Sequence, residues 1–104
     1  MSNLDPLILP RRLAIALLAE AQKAGGEAVH GVIGARDGVP VAVHPNAEAA
    51  TVGETVWARY RSAGEGVTGD GRELLVSIDL KGVLQLSCRE GKGKKAVERE
   101  LRII

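Results

Sequence analysis

Few side chains in this sequence could carry chemistry, and they are spread along the chain. Glu27, His30, His44 and Asp79 have the carboxylate and imidazole groups that bind zinc, and Glu27 could also act as a general base. Glu27 and His30 lie an odd number of positions apart in one predicted segment, so their side chains point to opposite faces. The two histidines are 14 positions apart, on separate predicted strands. The residues alone therefore leave these four as candidates and predict no metal site.

The single cysteine, Cys88, has no partner for an internal disulfide or a thiolate metal cage. It alternates with Leu84 and Leu86, which favours a small buried side chain over a nucleophile. The glycine-rich segments at 64–72 and 91–95 do not match a phosphate-binding loop motif, so we interpret both as loops. A lone thiol fits a reducing compartment, and we expect a cytoplasmic protein.

Aromatic and basic residues are concentrated in one place only. Trp57, Arg59, Tyr60 and Arg61 lie within five positions, and Trp, Tyr and Arg are enriched at the energetic centres of protein interfaces. We interpret this cluster as a candidate interface. The competing interpretation is a core tryptophan flanked by exposed arginines.

Length and charge limit the possible partners. A chain of 104 residues is enough for one domain, which we place at 1–104. Fourteen basic against 13 acidic residues give a net charge of +1, without the basic excess typical of nucleic-acid binding. The apolar run from Leu13 to Ala19 is too short to span a bilayer. We therefore expect a protein partner or self-association, and neither a nucleic-acid nor a membrane partner.

The first half of the chain has clear local signals. Leu7–Leu9 could form a short strand. Apolar residues recur at helical spacing from Arg11 to Ala24, between Pro10 and a Gly-Gly stop, which predicts a helix. Two apolar segments, 29–35 and 39–44, flank the turn signal Arg36-Asp37-Gly38 and predict a hairpin with a central first strand.

The second half is less uniform. Glu54 to Ala63 has the spacing of a second short helix, although Thr, Val and Trp also favour a strand over Thr55–Arg59. Segments 74–79 and 83–89 predict a second hairpin, and 97–103 alternates like a charged edge strand. The predicted class is α+β: a mixed or antiparallel sheet with hairpins, flanked by one long N-terminal helix and a second, shorter helix.

Several of these segments resemble the JAB/MPN family, also called JAMM domains. The resemblance covers residues 7–35, 39–47, 73–91 and 97–104. Members have a short strand, a helix, and then a Glu a few residues before a Gly in the first sheet strand, where this chain has Glu27 and Gly31. The resemblance implies a fold with the layering of cytidine deaminases.

Active members of that family hydrolyse isopeptide or peptide bonds next to ubiquitin-like folds, with zinc held by an H-x-H-P motif and an Asp. The sequence contains no H-x-H. The segment that carries this zinc motif in the family is either replaced here by residues 60–63 or deleted near residues 77–79. The resemblance therefore implies a short, degenerate member of the family that binds another protein or itself. We favour a protein that is not an enzyme, and we expect no cofactor.

Two alternatives stay open. One is a divergent zinc-dependent isopeptidase or peptidase that acts next to ubiquitin-like or sulfur-carrier proteins, using Glu27 with His30, His44 or Asp79. The other is a small-molecule or nucleic-acid binding module that uses the glycine-rich loops, and the balanced charge argues against the nucleic-acid version.

Overall fold

A computed structural model of the chain describes residues 6–25, 27–62, 71–91 and 97–104. Within them the chain forms one helix and eight strands. Their bounds are β1 Leu7–Leu9, α1 Arg11–Ala24, β2 His30–Arg36, β3 Val39–Pro45, β4 Thr55–Ser62, β5 Gly71–Ile78, β6 Leu84–Gly91, β7 Val97–Arg99 and β8 Leu101–Ile103. Most of the two predicted glycine-rich loops, at 64–70 and 92–95, lies outside the described residues.

The predicted layout of a sheet flanked by a long and a short helix is wrong. Strands hold 55% of the described residues and the helix 16%, and the segment predicted as a second helix is strand β4. Hydrogen-bonded strands lie on both sides of β4. Its residues alternate between the core and the opposite face from Ala58 to Arg61, after an irregularity at Trp57. The competing strand over Thr55–Arg59 lies inside β4, which extends three residues further.

Helix α1 has the predicted bounds but is short, at 14 residues. The Pro10 carbonyl accepts the first bonds of the helix, from the N–H groups of Leu13 and Ala14 at 3.0 and 3.3 Å. At the other end Gly25 has a φ of 60°, a left-handed conformation that glycine adopts without strain. The face that includes Leu13 and Leu17 is buried against the sheet.

The main sheet has the order β3-β2-β4-β5-β6-β7. Strands β4 and β5 are parallel, and every other neighbouring pair in this sheet is antiparallel. The strand predicted at 97–103 is divided at Glu100 between two sheets, because β8 leaves the main sheet and pairs in parallel with β1. This pairing places Leu7 opposite Leu101 and so joins two distant parts of the chain.

The core lies between α1, the small sheet and one face of the main sheet. It is built from aliphatic residues with one tryptophan, one tyrosine and the cysteine. Its buried members are Leu9, Leu13, Ala14, Leu17, Ile33, Ala35, Trp57, Ala58, Tyr60, Leu74, Val76 and Cys88.

Candidate functional site

The parallel pair β4 and β5 organises two surface depressions, one at each end of the strands. At the carboxyl ends, Glu27 lies between two cavities of about 220 and 420 Å³, which we call together the Glu27 crevice. The smaller is lined by Ala21, Glu27, Val29, Ser62, Val76, Ser77 and Ile78; the larger by Glu20, Lys23, Ala24, Glu27, Ala28, Val29, Pro45 and Asn46. Ligands of open sheets often bind outside the carboxyl ends of parallel strands, so this crevice is the first place to look for chemistry.

Two of the polar groups in and beside the crevice are bound by the chain itself. Ser62 accepts a hydrogen bond from the Val29 N–H at 2.8 Å, and its own N–H donates to the Val29 carbonyl at 2.9 Å. The Tyr60 hydroxyl donates to the Glu20 carboxylate at 2.5 Å, which ties α1 to the sheet. Burial raises the pKa of the Tyr60 phenol, and the hydrogen bond to Glu20 raises it further. These groups serve the fold, and Glu27 is left as an exposed carboxylate.

The histidines lie away from Glu27. Neither lines the crevice; His30 is exposed at the start of β2, and His44 faces the side of the sheet away from α1. The Nε2 atom of His44 lies 2.8 Å from Glu54 Oε1 and 3.4 Å from Thr51 Oγ1. A nucleophile, base and acid relay needs contacts through both ring nitrogens, whereas both of these contacts use one. The contacts of His44 with Glu54 and Thr51 therefore hold the segment before β4 against the sheet.

Asp79 has a structural role in the turn between β5 and β6. Its Oδ1 atom accepts hydrogen bonds from the N–H groups of Lys81 and Val83 at 2.8 and 2.9 Å. The bond from Val83 is the main cause of a lowered pKa for this carboxyl. Across residues 6–25, 27–62, 71–91 and 97–104, no three His, Cys, Asp or Glu side chains are grouped to hold a metal ion. The structure thus does not bring the four candidate ligands together.

The candidate interface cluster is divided among three environments. Tyr60 is buried in the core, and Trp57, also buried, lines cavities at the other end of the strands. Arg59 and Arg61 lie on the sheet face away from α1, where Arg59 donates to the Glu48 carbonyl and Arg61 pairs with Glu73 at 3.2 Å. Alternation along β4 separates Tyr60 from the two arginines. Trp57 is buried beside Ala58 because the register between β2 and β4 shifts at this point and leaves Trp57 without a directly paired residue.

The sheet face that carries these arginines is strongly charged. In the strand register Arg59 lies beside Glu73, Glu73 beside Arg89, and Arg89 beside Glu98. Opposite charges at directly paired positions stabilise a sheet modestly and keep its face hydrated. This part of the face is therefore poorly suited to an apolar contact.

At the amino ends of β4 and β5 the surface is apolar. A groove of about 430 Å³, which we call the Trp57 groove, is lined by Pro6, Leu7, Ile8, Pro10, Gly38, Val39, Pro40, Trp57, Arg72 and Ile104. Ile8, Val39 and Ile104 are 40%, 56% and 65% exposed, so the described part of the chain leaves them uncovered. A contiguous apolar surface of this kind, bordered by polar residues, marks an interaction site more often than a scattered exposed leucine does.

Arg72 is the charged residue that lines the groove. Its guanidinium lies over the Trp57 ring at 5.0 Å and donates to the Trp57 carbonyl at 3.2 Å. It also contacts Glu90 at 3.4 Å, and Glu90 in turn accepts from Arg99. This network holds the tryptophan ring against a fixed cation, which keeps the floor of the groove rigid.

Sequence reasoning found Trp57 but missed the residues around it. Arg72 falls in a segment predicted as loop, and the sequence predicts no more than strand positions for Ile8 and Val39. One signal could have found Arg72: extending the register of the predicted β5–β6 hairpin by two residues pairs it with Glu90. No comparable signal joins Ile8, Val39 and Ile104, which come from separate parts of the chain.

No helix in the described parts of the chain is long and apolar enough to cross a membrane.

No protein-family model and no curated protein matches the sequence. Among solved structures, the chain is similar to the solution structure of protein DSY2949 from Desulfitobacterium hafniense, a structural genomics target. The TM-score is 0.73 at 16% identity, over 94% of this chain and 92% of that one. This likeness supports the fold, and it does not test the resemblance to the JAB/MPN family.

Proposed function

We propose that this chain is a non-catalytic protein-interaction domain that binds an apolar segment of another polypeptide in the Trp57 groove. The observation that carries the proposal is the pairing of a rigid aromatic floor with exposed apolar walls, at Trp57, Ile8, Val39 and Ile104. Binding energy at protein interfaces is concentrated in such aromatic and arginine anchors, around which apolar contacts exclude water.

The geometry favours this function over a catalytic one. The Glu27 crevice presents one exposed carboxylate, while Tyr60 and Ser62 are engaged in contacts within the fold. The groove, in contrast, has apolar surface that the described residues leave in water and that a bound molecule would bury. Removing apolar surface from water is the dominant favourable term in protein association.

We retain descent from a JAB/MPN-like domain, and a cytoplasmic location, as parts of this proposal. Glu27 and Gly31 are the positions that carry the resemblance, and the free, buried Cys88 fits a reducing compartment. Neither inference is needed for the groove to bind a partner.

The divergent zinc hydrolase remains the second hypothesis because Glu27 lies at the carboxyl ends of the parallel pair. Protein purified without added zinc should be assayed for metal, beside a Glu27→Gln variant. Stoichiometric zinc in the unaltered protein would contradict the non-catalytic proposal. Trace metal, equal in both proteins, is the result we expect.

The groove can be tested with the partner still unidentified, because Trp57 is the only tryptophan and reports on it by fluorescence. Peptides selected from a displayed library on the wild-type protein would be titrated against wild type, Val39→Glu and Ile15→Glu. Ile15 is 58% exposed on α1 and does not line the groove, so it is a matched control.

We expect apolar peptides that shift the Trp57 emission and bind wild type and Ile15→Glu equally. Val39→Glu should weaken their binding by about tenfold or more, as a substitution at an interface centre does. Equal binding to Val39→Glu would show that the groove is not the binding surface.

A further inference from the structure

The turn between β5 and β6 presents a leucine fully to solvent. Leu80 is 107% exposed and Val83 51%. The turn is not loose: Asp79 accepts from the N–H groups of Lys81 and Val83 through its side chain, and from Gly82 through its carbonyl at 2.9 Å. These bonds hold the turn backbone in place, which lowers the backbone part of the entropic cost of docking Leu80 on another surface.

The turn and the Trp57 groove lie at opposite ends of one strand. Arg72 is near the start of β5 and Ile78 is its last residue. Six residues of extended strand span about 20 Å, at about 3.3 Å per residue. The turn of one chain therefore cannot reach its own groove, whereas the turn of a second copy can.

Arg72 has unused hydrogen-bonding capacity in the groove. A guanidinium carries five N–H donors, and the contacts of Arg72 with protein acceptors are long, at 3.2 Å to the Trp57 carbonyl and 3.4 Å to Glu90. The Arg72 side chain is 22% exposed and lines the groove, so its terminal N–H groups, and not the buried Nε atom, are available to an incoming acceptor. Such a group is suited to bind a carboxylate through two parallel bonds.

Asp79 supplies a carboxylate next to the exposed leucine. Its Oδ1 atom takes two backbone bonds, whereas Oδ2 has only a 3.4 Å contact with Gln85. An ionised carboxylate has about four acceptor positions, so Oδ2 can accept further donors without breaking the turn. The turn thus offers an apolar side chain and an anion, and the groove offers an apolar surface and a cation.

We propose that the Trp57 groove binds the β5–β6 turn of a second copy of this chain, with Leu80 on Trp57 and Asp79 on Arg72. The inference rests on the proposed function and names the groove's occupant. Because the groove and the turn are different surfaces, the contact is heterologous. Two copies joined by one such contact still have one free groove and one free turn between them. The product is a closed ring where the rotation between copies closes, and otherwise an open head-to-tail series.

Light scattering after size exclusion, over a wide range of protein concentration, tests this assembly. The average mass of wild type and of the Ile15→Glu control should rise with concentration. Val39→Glu should abolish binding by the groove, and Leu80→Glu should abolish binding by the turn. Each variant alone should therefore stay at the mass of one chain. Both positions are exposed, and circular dichroism would verify that the variants fold.

The decisive sample is the mixture of the two variants. Val39→Glu keeps an intact turn and Leu80→Glu an intact groove, so together they can form one contact and no more. The mass should double and then stop rising. Arg72→Met should weaken wild-type assembly by about tenfold or more, the size expected for an interface centre.

A wild-type chain that stays single at every concentration would overturn the self-docking inference, as would a mixture that does not pair. The peptide titration separates this failure from failure of the proposed function. If apolar peptides still bind and Val39→Glu still weakens them, the groove binds a different protein. If they do not, the groove itself is not a binding surface.

Discussion

The two ends of the β4–β5 pair differ in how their surface groups are satisfied. At the Glu27 crevice, Tyr60 and Ser62 are bonded to other parts of the same chain. At the Trp57 groove, exposed apolar side chains surround a buried ring, and the described residues do not cover them. Polar groups can find hydrogen-bond partners within a fold, but an apolar surface is removed from water only by another surface. The contrast separates residues that hold the fold from residues available for binding.

The largest expected effect concerns the tight packing beside the crevice. A Cβ at Gly31 would overlap the His44 carbonyl and the Tyr60 hydroxyl. Gly31→Ala should lower the free energy of unfolding by about 3 kcal/mol, the upper part of the range for overpacking. Urea denaturation would measure it. Adding Tyr60→Phe should restore only part of the loss, because it removes the hydroxyl overlap and leaves the ring Cζ atom 2.7 Å from the added Cβ. A fully tolerated Gly31→Ala would contradict the packing.

Cys88 lies near the groove end of the core, and the reactivity of its thiol tests whether this side chain is buried. Burial raises the pKa of this thiol to about 11, an effect that Arg72 partly opposes. Two units above the ordinary value leave about 100-fold less thiolate near neutral pH. Alkylation of the native protein should therefore be at least about 100-fold slower than in denaturant, and slower again in Arg72→Met. Equal native and denatured rates would show that the thiol is open to solvent.

Alkaline pH should reduce the stability that Tyr60 contributes at the crevice end. The folded-state pKa of this phenol is raised above the unfolded value of 10.0, so only the unfolded chain releases the proton just above that value. The stability contributed by Tyr60 is complete below pH 10 and is lost as pH rises, by about 1.4 kcal/mol at pH 11. Subtracting the same measurement on Tyr60→Phe isolates this loss. A native-state phenolate absorbance with a midpoint near pH 10 would contradict it.

The smallest stability effects should come from one surface residue at each end. Glu27→Gln and Val39→Glu change exposed side chains, and each should alter the free energy of unfolding by less than about 0.5 kcal/mol. Their binding should differ, because only Val39→Glu should lose the selected peptides. If Glu27→Gln lost them too, the comparison between the two ends would fail.

Local signals accounted for the elements that depend on neighbours in the sequence. Helix α1 follows from apolar spacing between Pro10 and a glycine able to adopt a left-handed conformation, and the two hairpins follow from their turn residues. Glu27 is a candidate by its side-chain chemistry and by the resemblance, and Trp57 by the local concentration of aromatic and basic residues. Both line cavities, but nothing in the sequence distinguished a polar crevice from an apolar groove.

The sequence by itself determined where the helix and both hairpins lie, because those choices depend on residues a few positions apart. Only the tertiary structure decided that residues 55–62 form a strand, since an apolar spacing compatible with helix or strand was resolved by pairing with β2 and β5. It also decided the end of the chain, where pairing of β8 with β1 draws Leu101 out of the main sheet. The Trp57 groove exists for the same reason: its walls come from segments that are distant in sequence and that only long-range packing brings together.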